Sequence, residues 1–159
     1  MKLGLTIITA AAFIWTAGII AAPLLADTVV SDLLYRGYSV VCHQFDDRSF
    51  HFANAPFGVC IRCTAIYAGF TGVLILSLAW ERLRSLRWRT TVLLVVTALP
   101  MAADGMLDLT GLHAATTVSR LVTGGMFGCG LALLLQADLS GSVHSLIQRN
   151  ATRYGTEER

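Results

Sequence analysis

The sequence has little charge for its length. Only 14% of its 159 residues are Asp, Glu, Lys or Arg, whereas 55% are hydrophobic, and the formal net charge is +2. So small a net charge does not indicate a surface for nucleic acid, which needs clustered positive charge. The apolar residues fall in long blocks and not in short alternations, so the composition is that of a membrane protein.

Four apolar blocks are long enough to span a membrane. At about 1.5 Å per residue, some 19 to 23 helical residues cross a hydrocarbon core about 30 Å thick. We therefore predict an all-α membrane protein, a four-transmembrane-helix bundle that forms one domain over residues 1–137, followed by a tail over 138–159. The predicted spans are residues 3–25, 60–80, 91–109 and 117–137.

The first block also resembles a cleavable signal peptide, since Lys2 precedes an apolar run and APLLA precedes Asp27. Leu24 stands where a signal peptidase needs a small residue, so we expect a retained span.

The arginines predict the orientation. The connection ERLRSLRWRT, residues 81–90, carries four arginines, and short basic loops stay in the cytoplasm. Both termini then lie inside, and residues 26–59 and 110–116 lie outside. Within the first outer segment, residues 28–42 carry apolar residues at helical spacing, which predicts an amphipathic helix at the outer interface; an ordinary surface helix packed on the loop is the alternative.

Cysteine and histidine are scarce, with four of each. Three of the cysteines and two of the histidines nevertheless fall in VCHQFDDRSFHFANAPFGVCIRC, residues 41–63. Cys60 and Cys63 form a C-x-x-C pair at the outer end of the second span, where three residues' separation places both sulfurs on one helix face. A helix N-terminus also favours the thiolate form. The residue after Cys63 is Thr64 and not histidine, which excludes c-type haem attachment.

Cys42 and His43 complete a set of donors that suits zinc. Together with Cys60 and Cys63 they supply three sulfurs and one imidazole, a common zinc ligand set. Adjacent side chains such as Cys42 and His43 diverge, so His51 is an alternative fourth ligand, and water is another. We predict a zinc site that faces outward.

The third and fourth spans carry charges that need partners in a membrane. Asp104 and Asp108 lie four residues apart on one helix face, and Arg120 lies about one turn into the next span. We expect Asp104 and Arg120 to form a buried ion pair. The pair either takes part in a reaction or only fixes the register of the two helices. Gly124 and Gly128 share the face of Arg120, which favours close packing of helices or, alternatively, a homo-oligomer.

Several short motifs resemble those of a known family. They are Cys42-His43-Gln44, Arg48-Ser49-Phe50, Cys60-Ile61-Arg62-Cys63 with Ile66-Tyr67 and Gly69, Asp104-Gly105, and Arg120 with Thr123-Gly124. At these residues the chain resembles an uncharacterised prokaryotic family of small predicted membrane proteins, a domain of unknown function. The resemblance implies a location in a prokaryotic cytoplasmic membrane and names no reaction. Asp108 stands where the family often has glutamine.

Three functions remain open. In the first, zinc either holds the structure together or activates water to hydrolyse a membrane lipid or a peptide; Asp104, Arg120 and Tyr67 are then the candidate catalytic residues. In the second, the C-x-x-C pair performs thiol–disulfide chemistry linked to a quinone, although the chain lacks the second shuttling cysteine pair that this requires. In the third, the protein is a small transporter or an accessory subunit of a membrane complex.

Overall fold

A computed structural model describes residues 2–52, 54–80, 90–112 and 114–155, and this part of the chain is mostly helical. The basic segment 81–89, on which the predicted orientation depends, lies outside the described residues. The described elements, in chain order, are α1 (Lys2–Leu24), α2 (Val29–Ser39), a 3-10 turn (Asp46–Arg48), β1 (His51–Phe52), β2 (Ala55–Pro56), α3 (Ile61–Ala79), α4 (Thr90–Leu109) and α5 (Thr117–Gly155).

Three of these helices are long and apolar enough to cross a membrane. They cover Leu3–Leu24, Ile61–Ala79 and Thr117–Gln136. The predicted span over 91–109 coincides with α4, and its crossing of the membrane stays a prediction, as does the complete four-span bundle. The helix α5 is continuous to Gly155, so no break in the helix separates the last predicted span from the tail.

Among the described residues, the segment between α1 and α3 contains one small sheet that the all-α prediction lacks. Strands β1 and β2 are antiparallel, with His51 opposite Pro56 and Phe52 opposite Ala55. Asn54 has a φ of 65°, and asparagine tolerates this left-handed conformation better than most residues. Two-residue strands follow from a turn more than from an alternating pattern, so periodicity does not reveal them.

Helix α2 begins and ends close to the predicted limits. The Thr28 side chain accepts a hydrogen bond from the backbone N–H of Ser31 at 3.2 Å, which caps the helix at its start. Ser31 and Tyr38 are buried against the other elements, whereas Val29 and Leu33 are exposed. An exposed apolar face of this kind agrees with the predicted position at a membrane interface, which stays a prediction.

Helix α3 lies at the centre of the packing, between α1 and α5. Leu5 of α1, Leu74 of α3 and Ala132 of α5 form one buried cluster. A Cβ atom placed on Gly124 would lie 2.7 Å from the backbone oxygen of Arg62, and one on Gly128 would overlap the backbone of Ile66. Glycine at these positions therefore lets α5 touch the backbone of α3, as the small-residue spacing predicts. Self-association through glycine faces stays a prediction.

Candidate metal centre

Three cysteines from two separate segments of the chain meet at the start of α3. The sulfur atoms of Cys42, Cys60 and Cys63 all lie within 4.8 Å of one another. All three are free thiols. Two thiolates on one tetrahedral zinc ion lie about 3.8 Å apart, given bonds of about 2.3 Å. The sulfurs are therefore close enough to share one ion after small side-chain rotations.

The start of α3 presents two of these sulfurs. Cys60 is the residue that precedes the first helical turn, and its side chain makes no capping hydrogen bond, so the sulfur is left for other partners. Cys63 lies three residues later in the first turn. Both cysteines pack against a buried cluster formed by Ile19, Tyr38, Cys42 and Val59.

Gln44 holds the chain that carries Cys42. Its backbone has a φ of 51°, and its side-chain amide donates to the carbonyl oxygens of Tyr35 at 2.9 Å and Gly58 at 2.7 Å. The N–H of Gly58 in turn donates to the carbonyl of Ile19 at 3.1 Å. These bonds join α1, the end of α2 and the segment before α3, so they position Cys42 beside Cys60.

The environment of Cys42 favours a thiolate. The backbone N–H of Cys60 donates to its sulfur at 3.3 Å, at the positive end of the α3 dipole. Hydrogen bonds from the Cys60 and Cys63 side chains lower the pKa of the Cys42 thiol far below its ordinary value, although burial opposes them. A thiolate is the form of cysteine that binds metal.

His43 and His51 lie outside the sulfur cluster. The His43 ring stacks on Phe45, with centroids 5.8 Å apart and planes within 6°, and no histidine nitrogen belongs to the metal-ligating group found among the described residues. His51 lies on the exposed hairpin, with Nε2 3.0 Å from an oxygen of Asp46. His43 as a fourth ligand stays a prediction, since it borders the same cavity as the sulfurs.

A cavity of about 220 Å³ adjoins the three sulfurs. Its charged lining consists of Arg48, Arg62, Arg120 and Asp108. The cavity therefore has a sulfur-rich wall and a wall with more positive than negative side chains.

The predicted pairing of Asp104 with Arg120 is wrong. Asp104 instead forms an ion pair with Arg62, and the hydroxyl of Ser119 donates to its Oδ1 at 2.7 Å. Arg120 lies 3.3 Å from Asp108. The physical reason is depth: Arg120 starts α5 as Asp108 ends α4, whereas Asp104 lies one turn deeper and meets the long side chain of Arg62.

Asp108 receives contacts from three parts of the chain. Arg48 of the segment between α2 and α3 lies 3.1 Å from its Oδ2, Arg120 of α5 lies 3.3 Å from the same oxygen, and the N–H of Ala115 donates to its Oδ1 at 3.1 Å. The roles of Arg48 and Arg62 as ion-pair partners were not expected from the sequence. The signal for Arg62 was its place between the two cysteines, on the first turn of α3.

Tyr67 does not line the cavity at the sulfurs. It packs on the cluster that contains Cys42, and its ring lies 6.0 Å from that of Trp15 in an edge-on arrangement. It lines a neighbouring apolar groove instead. A catalytic role for Tyr67 stays a prediction.

Two archaeal proteins are similar to this chain. An uncharacterised protein of Methanocaldococcus jannaschii is 33% identical over 99 residues, which are 62% of this chain and 64% of that relative, so the chain spans just under two thirds of the relative. An uncharacterised protein of Methanothermobacter thermautotrophicus is 35% identical over 98 residues, 61% of this chain and 86% of the relative. No solved structure matches the chain.

The family match covers the whole site. Residues 42–134, more than half of the chain, match the model of a family described as a predicted membrane protein, DUF2085. The match begins at Cys42 and includes every residue of the sulfur cluster and of the ion pairs around Asp104 and Asp108. This chain therefore belongs to the DUF2085 family of predicted membrane proteins.

Proposed function

We propose that the protein binds one zinc ion through Cys42, Cys60 and Cys63 on the outer side of a cytoplasmic membrane. The observation that carries the proposal is the meeting of three sulfurs from two distant segments within 4.8 Å. Thiolates favour soft or borderline ions such as zinc. The ion would connect the segment after α2 to the start of α3, and it would form one wall of the arginine-lined cavity.

The fourth ligand decides what the zinc ion does. If His43 turns toward the sulfurs, four protein ligands close the coordination shell and the ion is structural. The engagement of Asp104 supports this role, because a carboxylate that already binds Arg62 and Ser119 is poorly placed to take a proton. We therefore favour a structural role for the zinc ion.

Hydrolysis is the second candidate, and the cavity is the observation that favours it. Space beside the sulfurs admits a water molecule or a substrate group as the fourth ligand, and zinc lowers the pKa of bound water to about 7. Arg120 would then hold an anionic group of a lipid or a peptide.

Metal content tests the zinc site. The full chain is purified in detergent under reducing conditions without chelators, and its metals are measured by mass spectrometry. We expect about one zinc per chain in the unsubstituted protein, loss of that zinc in Cys60→Ser, and retention in Cys129→Ser. Cys129 is a matched control because it lies in α5, where its thiol contacts the carbonyl of Gly69 at 3.7 Å. Equal metal in the two variants, or none in the unsubstituted chain, contradicts the proposal.

A parallel preparation made without reductant tests thiol chemistry. The sulfur of Cys42 lies within 4.8 Å of both C-x-x-C sulfurs, so a third thiol is near enough to exchange with a disulfide. Two fewer free thiols per chain, a Cys60–Cys63 disulfide in the peptide map and no bound metal would support the redox function instead.

A further inference from the structure

An apolar groove of about 460 Å³ lies among α1, α3 and α5, next to the cysteine cluster. Its volume is within the range of about 300 to 1,000 Å³ that is usual for ligand sites. Trp15, Tyr67, Phe70 and Leu131 form much of the wall. The hydroxyls of its two threonines, Thr16 and Thr71, lie 2.9 Å apart and bond to each other. The groove therefore suits a hydrocarbon chain better than water or a polar ligand.

The groove adjoins the cavity at the sulfurs. Ile66 lines both of them. Tyr67 lines the groove and also packs on the cluster around Cys42. The two spaces are thus neighbours, an apolar one among α1, α3 and α5 and a charged one at the start of α3, and this arrangement matches the tail and the headgroup of an amphiphile.

The arginines of the charged space indicate that the headgroup of that amphiphile is anionic. Arg48 and Arg120 share the single carboxylate of Asp108, whereas Arg62 pairs with Asp104. Arg48 also lies 3.6 Å from Asp47, whose side chain is 76% exposed and does not line the cavity. Among the charged side chains that do line the cavity, three are arginines and one is an aspartate. The Nε atom of Arg62 is buried and has no hydrogen-bond partner among the described residues. Guanidinium groups bind phosphate through paired hydrogen bonds.

We propose that this site binds an anionic lipid, with its hydrocarbon tail in the groove and its phosphate headgroup at Arg48 and Arg120. The proposal rests on the proposed function only in placing the headgroup beside the zinc ion, since no cysteine contributes to lipid contact. A zinc ion with three thiolate ligands has a formal charge of −1, so it does not attract the anionic headgroup. We therefore expect lipid binding to persist when the metal is lost.

Lipid retention tests the proposal. The full chain in detergent is given phosphatidylglycerol and phosphatidylcholine with identical tails, and bound lipid is counted by native mass spectrometry. We expect phosphatidylglycerol to bind about five-fold better, the effect of about one favourable charge at a membrane surface. Arg48→Gln should remove this preference, whereas Arg36→Gln, an exposed arginine on α2, should retain it.

A second pair of variants tests the groove. Ala11 lines the groove and the neighbouring Ala10 does not, although both are exposed on α1. Ala11→Phe should reduce the binding of both lipids several-fold, and Ala10→Phe should leave it unchanged. Equal binding of the two lipids by the unsubstituted chain, or equal binding by the two phenylalanine variants, overturns the proposal. Cys60→Ser separates the questions, because we expect it to lose zinc and to keep the lipid.

Discussion

Gln44 shows how one side chain assembles a site from separate segments. It follows Cys42 and His43 directly, and it uses both amide hydrogens to bind the carbonyls of Tyr35 and Gly58. A carboxylate of the same size has no hydrogens to donate. Gln44, the third residue of the CHQ motif, therefore helps to position Cys42, the first residue.

We expect Gln44→Glu to lower the free energy of unfolding by about 1–3 kcal/mol, because two carbonyl groups lose their donor. The displaced loop should also release zinc more readily. Denaturant unfolding and competition with a zinc chelator measure the two effects. Unchanged stability and zinc affinity in Gln44→Glu would show that the amide does not hold the loop.

The aspartates and arginines also show how partner choice depends on single residues. Spacing along the chain predicts that Asp104 and Asp108 share a face, and they do meet charges on one side of α4. It does not predict which arginine each one meets, because that depends on the relative depth of three helices and on the reach of long side chains.

A double-mutant cycle distinguishes the partners. We expect Arg62→Met and Asp104→Asn to show a coupling energy of about 0.5–3 kcal/mol, as side chains in direct contact do. Arg120→Met with Asp104→Asn should couple more weakly, since Arg120 contacts Asp108. The measurement is the free energy of unfolding of each single and double variant. A stronger Arg120–Asp104 coupling would restore the pair expected from the sequence.

At the level of elements, the contact between α3 and α5 positions the site. Gly124 and Gly128 bring the two backbones together at Arg62 and Ile66, so the cysteines at the start of α3 are fixed relative to Arg120 at the start of α5. The helices themselves were predictable to within a few residues from hydrophobic runs, except that α5 continues from the predicted limit at residue 137 to Gly155. Their pairing was predictable only as a tendency of small residues to pack closely.

Two neighbouring glycines of α5 test this contact. Gly128→Ala should destabilise the protein by about 1–3 kcal/mol or more, since the new methyl group meets the α3 backbone, which cannot move easily. Gly125→Ala meets no atom within 4 Å, and it should be neutral or stabilising by up to about 1 kcal/mol because alanine favours helix. Similar thermal unfolding of both variants would contradict the packing.

At the scale of the whole molecule, function depends on which side of the membrane the site faces. The prediction that it faces outward depends on the arginines of residues 81–90. The described turn after α4 belongs to the same end of the molecule as the sulfur cluster, because Asp108 at the end of α4 binds Arg48 of the segment between α2 and α3.

Cysteine labelling tests the orientation. A cysteine is introduced either at Leu112, which is 79% exposed in the turn after α4, or at Ser85 in the basic segment. With a membrane-impermeant maleimide on intact cells, we expect one extra label per chain at Leu112→Cys and none at Ser85→Cys until the cells are lysed. The unsubstituted chain supplies the background, and the reverse pattern would place the site in the cytoplasm.

Hydropathy, spacing and side-chain chemistry were enough to predict a helical membrane protein, the approximate helix limits and the three sulfurs as a cluster. The helices and the Cys60–Cys63 pair depend on local chain properties: apolar length, helical periodicity and the separation of the two residues in C-x-x-C. Cys42 was predicted to join that pair from the chemistry of its thiol, and the hydrogen bonds of Gln44 hold it there. The hairpin at Asn54, the hydrogen bonds of Gln44 and the pairing of Arg62 with Asp104 depended on the packed structure. The hairpin depends on a turn at Asn54 that periodicity does not reveal. The other two features require residues of different elements to reach the same depth, and that depth follows from how the helices pack.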